Sequence, residues 1–225
     1  MNLNDLAADV LQQQRSTPDL IANALRQAIT HGIFAEGQSL RQDEIASKFG
    51  VSRIPVREAL RQLEAEGLVT FHPNRGATVT TLTPAEVQEI FEIRVALETT
   101  ALKLAISHLT EPILHQANTI LVATDQVTDV ARWAELNWQF HETLYAPAQR
   151  PRLLTLIKTL HINGDRYVRL QLANNNYLEF SQKEHYQLLA ACQHQNVEEA
   201  IAILQHHITT AGDRLVAYLK NNTRP

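Results

Sequence analysis

The sequence predicts a mainly α-helical protein, in which an N-terminal winged helix-turn-helix is followed by an all-α helical bundle. Three observations support this fold class. Two short helical patterns flank Gly50, two β-type runs flank a turn near residue 74, and from Pro84 onward apolar residues recur at three- and four-residue steps without a strand pattern. We therefore expect two domains, residues 1–80 and 81–225.

The chain is expected to begin with a mobile arm, because residues 3–14 have helical spacing but few residues to pack against. Thr17, Pro18 and Asp19 combine an N-cap, a proline suited to the first turn and an acidic first-turn residue. They predict the start of the first helix, and residues 33–38 are expected to form a loop after it.

The next two helices predict a helix-turn-helix. Helix 43–49 should end at Gly50, and Ser52 is a natural N-cap for a helix that starts at about Arg53. This helix has two distinct sides, because an apolar stripe runs beside arginines at every fourth position, Arg53, Arg57 and Arg61. An ordinary amphipathic helix with solvated arginines is the alternative. The neighbouring elements favour a DNA-recognition helix.

A β-wing is predicted directly after this helix. Residues 67–71 and 77–80 read as two strands, and residues 72–76 as the turn between them. A recognition helix fits the DNA major groove. The wing, with Arg75 beside the small Gly76, can approach the DNA backbone or the minor groove.

After Thr83 and Glu86, which predict a capping box, the pattern is helical throughout. The helices expected in this second domain are 84–107, 111–127, 130–145, 151–174, 180–193 and 197–220. The only cysteine, Cys192, is predicted to be buried in one of them.

The composition indicates a cytoplasmic protein, since the sequence has neither an apolar run of membrane-spanning length nor the start of a signal peptide. The formal net charge is −4 and the pI near 6.2, and neither predicted domain is basic. DNA binding must therefore depend on where the few arginines stand. We expect a homodimer in which two DNA-binding domains, called heads below, bind one palindromic operator.

These residues carry a resemblance to the GntR family of transcription regulators. The matching stretches include Leu40-Arg41, Glu44-Ile45-Ala46, residues 50–60, Gly67-Leu68-Val69 and residues 74–77. The resemblance implies DNA contacts at Arg41, Ser52, Arg53, Ile54, Arg57 and Gly76. To these we add Arg75, the arginine of the wing. The helical part resembles the FCD domain of the FadR-like branch, which senses a small molecule.

The FCD resemblance also implies a metal site. Many relatives hold a divalent metal with three imidazoles and one carboxylate, and the matching positions here are Asn137, His141, His185 and His207. The carboxylate position is occupied by Asn137, whose neutral amide oxygen is a weaker ligand. Because imidazole suits both ions, we expect Zn or Ni as the cofactor.

Two other residues are left open. His161 can line the pocket or only pack, and the remaining histidines are expected on the surface or in the core. Arg94 resembles a position near the effector, but an ion pair with Glu98 one turn later is the equal alternative.

The sequence thus predicts a ligand-responsive transcription regulator, a repressor rather than an enzyme, whose effector is a small carboxylate. Two other classes of protein account for part of the sequence. Three histidines with an open coordination position suit a metal-dependent hydrolase, but no His-Glu-x-x-His motif is present. A constitutive DNA-binding dimer without an effector would leave the polar residues inside the bundle unexplained.

Overall fold

The computed structural model describes residues 16–73, 76–172 and 177–222, with side chains not described for 165–172, 177 and 222. The chain divides into two compact units, residues 1–81 and 82–225. The first unit contains, in order, α1 (Thr17–Thr30), β1 (Ser39–Leu40), α2 (Gln42–Phe49), α3 (Arg53–Ala65), β2 (Val69–His72) and β3 (Gly76–Val79). The described strands form one antiparallel sheet with β3 in the middle.

The beginnings and ends of these helices follow from local chemistry. The hydroxyl of Ser16 accepts from the Asp19 backbone while the Asp19 carboxylate accepts from the Ser16 backbone, so the N-cap of α1 is Ser16 and not Thr17 as predicted. Gly50 ends α2 with a left-handed φ of 65°. Ser52 is the N-cap residue of α3 as predicted, yet its side chain makes no capping hydrogen bond.

The core of the first unit lies between α1 and α3. Both helices turn an apolar face inward, and the fully buried side chains include Ile21, Ile29, Leu60 and Leu63. Arg26 of α1 and Glu66 at the end of α3 form a bidentate ion pair at 2.5 and 2.6 Å. These contacts fix α3 and leave its other side exposed.

The sheet differs from the prediction in one element. The sequence predicted a loop over residues 33–38 and no strand before the helix-turn-helix, but Ser39 and Leu40 form a third strand that pairs with Thr78 and Ala77. The strands of the wing lie at 69–72 and 76–79, within two residues of the predicted bounds.

The second unit is entirely helical in its described residues. It contains α4 (Pro84–Ala105), α5 (Glu111–Asp125), α6 (Val130–Tyr145), α7 (Pro151–Leu172), α8 (Tyr177–Gln193) and α9 (Val197–Asn222), with 3₁₀ turns at Ile106–His108 and Ala146–Ala148. The capping box of Thr83 and Glu86 is present, as predicted, and Pro84 lies in the first turn. The predicted fold class, mainly α with a small β-wing, is confirmed.

Helices α4 and α9 pack very closely. A Cβ atom added to Gly212 of α9 would lie only 2.8 Å from Cβ and Cγ of Phe91 on α4. The ring of Phe91 therefore rests directly on the backbone of α9, which only glycine permits at this position. None of the helices in the described residues is both long and apolar enough to cross a membrane.

Candidate functional site

Three histidines from separate helices converge inside the second unit. His141 comes from α6, His185 from α8 and His207 from α9, and all three are buried. Their ring centroids are 4.7 to 5.4 Å apart, and one ligand nitrogen from each lies within 4.8 Å of the other two. Phe140 packs against the ring of His185 at 5.0 Å and helps to exclude water from the cluster.

Each histidine has a hydrogen-bond partner on Nδ1. The partner is the Tyr145 hydroxyl for His141 at 3.1 Å, the Gln182 side-chain oxygen for His185 at 3.3 Å, and the Glu184 carboxylate for His207 at 2.8 Å. These bonds leave Nε2 of each ring for a ligand. Nε2 of His185 is indeed buried without a hydrogen-bond partner.

Burial keeps two of the imidazoles, those of His141 and His185, neutral. Loss of solvation, followed by the repulsion that a charged His185 or His207 would exert, lowers the pKa of His141 well below 6.5. The pKa of His185 is lowered well below 6.5 by burial and by His207 in the same way. A neutral imidazole is the form that binds a metal ion.

Asn137 lies one helical turn before His141 on α6, and thus on the same face of the helix. Its side-chain oxygen is buried without a hydrogen-bond partner. A buried amide oxygen normally has such a partner. The orphaned oxygen and the orphaned Nε2 of His185 therefore fit a divalent metal ion as the missing partner.

The donor distances also suit one ion. Nitrogen ligands lie about 2.0–2.1 Å from zinc, and hence roughly 3.3 Å from one another in a tetrahedral site. The three histidine atoms, all within 4.8 Å, can reach a shared ion after small side-chain shifts.

A buried polar chain runs from the cluster to α4. The Tyr145 hydroxyl donates to Oε2 of Glu98 at 2.8 Å, and Nε of Arg94 donates to Oε1 of Glu98 at 2.7 Å. Burial and the neighbouring Glu98 carboxylate raise the pKa of Tyr145 well above 10, so the hydroxyl keeps its proton. Arg94 thus forms the ion pair with Glu98 that was the alternative to an effector contact.

Sequence reasoning missed Tyr145, Gln182 and the role of Glu184 beside the ligand histidines. Tyr145 lies four residues after His141, and Gln182 three residues before His185. These helical spacings are the signals that could have found both. His161, left open above, is buried and packs against Trp138 with ring centroids 4.6 Å apart.

In the first unit, the predicted DNA-contacting residues that the structure describes are all exposed. Ser52, Arg57 and Gly76 are exposed, and Ile54 is 69% exposed although it is apolar. Arg41 forms an ion pair with Glu44 at 3.0 Å, and Arg53 forms one with Asp43. Arg75 lies outside the described residues.

Arg61 was predicted to lie on the same edge of the helix as Arg53 and Arg57, but its side chain contacts other residues of the same unit. Its guanidinium lies 4.0 Å from the centre of the Phe71 ring in β2, and it pairs with Glu64 at 2.6 Å. Arg61 thus links α3 to the Phe71 ring of β2. Arg57, by contrast, makes no ion pair with any other described residue and is exposed.

A winged helix-turn-helix joined to a helical unit with a buried polar site defines a DNA-binding regulator with an effector domain. The chain belongs to the GntR family: the profile "Bacterial regulatory proteins, gntR family" matches residues 18–79, and the FCD domain profile matches residues 89–210. The protein is accordingly a transcription regulator and not an enzyme.

Similar proteins are named as regulators too. The HTH-type transcriptional regulator YdhC of Bacillus subtilis is 32% identical over 184 residues, or 79% of this chain and 81% of that protein. The HTH-type transcriptional repressor RspR of Escherichia coli is 29% identical over 84% of each chain. A GntR-family regulator from Pseudomonas syringae has a solved structure that is 34% identical, covers 91% of this chain and 86% of its own, and has a TM-score of 0.58.

Proposed function

We propose that the protein is a ligand-responsive repressor whose helical unit binds a divalent metal and a small organic acid. The observation that carries this proposal is the meeting of three buried imidazoles from three helices in a chain with a DNA-binding head. The repressor sign is supported by the likeness to RspR, which is named a repressor.

The proposed metal ligands are His141, His185, His207 and Asn137. Three nitrogens and a neutral oxygen suit Zn or Ni, both of which accept imidazole readily. When bound, the metal would supply a positive charge among ligands that carry no negative charge.

That charge is the reason to expect an acidic effector. Imidazole and amide ligands leave the ion poorly neutralised, so an anion is the natural further ligand. Arg94 is the cation proposed to add a second contact to a carboxylate, because its planar guanidinium can bind both oxygens of a carboxylate. Gly164 leaves space beside this group, as a Cβ there would lie 3.8 Å from Nη1 of Arg94.

DNA binding is proposed to use the exposed start of α3 and the wing. Arg53 and Arg57 lie one turn apart and would reach base edges or phosphates, whereas Ile54 would pack against a sugar or a thymine methyl group. Arg41, Ser52, Arg75 and Gly76 complete the proposed surface.

The homodimer is proposed to form through α4. One side of this helix packs in the core, yet away from that side it carries a second row of exposed apolar residues, Ile93, Ala96 and Leu104. Such a row costs free energy when it faces water. A second copy of the chain would cover it and set two heads on a palindromic operator.

The metal proposal is tested by titrating chelator-treated protein with Zn and Ni. Wild type should bind one ion per chain, and the triple variant His141→Ala/His185→Ala/His207→Ala should bind none. A triple His→Ala variant at the exposed His108, His115 and His194 is the matched control and should bind like wild type. Wild-type protein without metal after incubation would contradict the proposal.

The effector is tested by titrating small carboxylic acids into metal-loaded protein with and without operator DNA. An acid that weakens operator binding must itself bind more weakly when operator is present. Equal affinity in both titrations would contradict this regulation. Constitutive operator binding that no acid affects would instead favour a dimer without an effector.

A further inference from the structure

Glu184 is a buried carboxylate beside the histidine cluster. Its Oε2 accepts a hydrogen bond from Nδ1 of His207 at 2.8 Å, and only 6% of the residue is exposed. Its other oxygen, Oε1, lies 3.5 Å from Nε2 of His206, whose side chain is 67% exposed. A carboxylate is rarely buried unless a positive charge compensates it.

The other buried carboxylate near the cluster has such a charge. Glu98 is bonded to Arg94 at 2.7 Å, so this pair is neutral as a whole. Within the described part of the chain, neither lysine nor arginine forms an ion pair with Glu184. The negative charge of Glu184 is thus directed to His207 alone among the buried groups.

The four candidate ligands, on the other hand, carry no negative charge. Asn137 provides an amide oxygen at the position where the family resemblance implies a carboxylate. A divalent ion held by these groups would keep its full charge unless a group behind them compensates it.

We infer that Glu184 is a positioning residue that provides, through His207, the negative charge that Asn137 does not provide. This inference rests on the proposed metal site. The hydrogen bond fixes His207 with its proton on Nδ1, so that Nε2 faces the other two histidines. A carboxylate in this place also strengthens the imidazole as a ligand.

The first test measures zinc affinity by competition with a chromophoric chelator. Glu184→Gln keeps the size of the side chain and its ability to accept a hydrogen bond but removes the charge. It should weaken zinc binding about 10- to 100-fold, as partners of metal-bound histidines generally do. Glu179→Gln changes an exposed glutamate of the same helix and should leave zinc affinity within about 2-fold of wild type.

A second variant separates charge from packing. If Glu184 compensates for Asn137, then Asn137→Asp should restore zinc affinity to the Glu184→Gln protein at least to the wild-type level. It should also raise zinc affinity by a larger factor there than in the wild-type background. If Asn137→Asp raised zinc affinity by the same factor in both backgrounds, the effect of Glu184→Gln would be purely structural. This result would overturn the inference.

The wild-type protein offers a test that does not depend on a variant that folds. Nitrogen-15 correlation spectra of the histidine rings should show His207 with its proton on Nδ1, and zinc should shift the Nε2 signal. Zinc bound through Nδ1 of His207 would overturn the inference, as would equal zinc affinity of wild type and Glu184→Gln. Absence of zinc binding by wild type would instead overturn the metal proposal itself.

Discussion

Burial decides the protonation state of the residues at the centre of the second unit. His141 and His185 are buried among other histidines, and both have a pKa well below 6.5 in the folded protein. In the unfolded chain a histidine has its ordinary pKa of about 6.5. Below that pH the unfolded chain therefore binds protons that the folded protein does not.

The metal-free protein should consequently lose stability as the pH falls below about 6.5. Each of the two histidines contributes a slope of up to about 1.4 kcal/mol per pH unit to the free energy of unfolding. Urea unfolding of chelator-treated protein at pH 7.5, 6.5 and 5.5 measures this slope. The variant His141→Gln/His185→Gln should show a shallower slope, and equal slopes for the two proteins would contradict the assignment.

Arg57 is an exposed cation with a specific predicted role. Arg57→Ala should weaken operator binding by about 1–3 kcal/mol if the side chain reaches a guanine edge. If it binds a phosphate, the slope of log affinity against log salt concentration should become less steep by about one. Fluorescence anisotropy with a selected operator over a salt series distinguishes the two.

Arg132→Ala is the matched control, because Arg132 is an exposed arginine of α6 that pairs with Glu135. It removes the same charge from the second unit and should leave operator affinity unchanged. Wild-type binding by Arg57→Ala at every salt concentration would show that α3 is not the recognition helix.

At the scale of the helices, two residues in the same N-cap position differ in the hydrogen bonds that they make. Thr83 and Ser52 are both N-cap residues with an extended backbone. Thr83 takes part in a complete capping box with Glu86, and the Glu86 pKa is lowered by the bonds from Thr83. The Ser52 hydroxyl makes no such bond, which leaves it available to a DNA phosphate.

Alanine substitutions should separate these roles. Thr83→Ala should destabilise the second unit by about 1 kcal/mol, because the backbone N–H of Glu86 loses its acceptor. Ser52→Ala should change stability by less than about 0.5 kcal/mol but weaken DNA binding. Chemical unfolding and operator titration of both variants measure the contrast. A loss of stability in Ser52→Ala with unchanged DNA affinity would reverse the assignment.

The sequence predicted elements whose signals are local. Periodicity located the helices of the second unit, and Thr83 with Glu86 marked the start of α4. The strand of Ser39 and Leu40 was missed, because two residues carry no periodicity and their partners, Thr78 and Ala77, are distant in sequence. At the candidate site the three histidines were named in advance, whereas the contact between Tyr145 and Glu98 joins residues 47 positions apart. Such contacts follow from packing rather than from spacing.

At the scale of the whole molecule, the proposed homodimer has a consequence for operator affinity. A single DNA-binding domain offers few cations to the DNA, and the whole protein carries a formal net charge of −4. Two linked heads on one duplex bind more tightly than either alone, because the second contact becomes intramolecular. The exposed apolar row of α4 is the surface that we propose for this association.

Ile93→Glu should therefore separate the dimer. A charge in the middle of an apolar interface costs several kcal/mol when it is buried without a partner. Sedimentation velocity should show a monomer, and affinity for a two-fold operator should fall at least about 100-fold. Val122→Glu, at another half-exposed apolar residue, should remain dimeric. A dimeric Ile93→Glu protein would place the interface elsewhere.

The contact between Phe91 and Gly212 has a mechanical consequence. Ile208 and Val216 stand one turn before and after Gly212, and a slide of α9 by about 5.4 Å would bring one of them against the Phe91 ring. Neither side chain fits where even a Cβ atom is excluded. Sliding of α9 along α4 is thereby blocked, so we expect a tilt of α4, which begins next to Thr83, to carry α9 and His207 with it, without local unfolding.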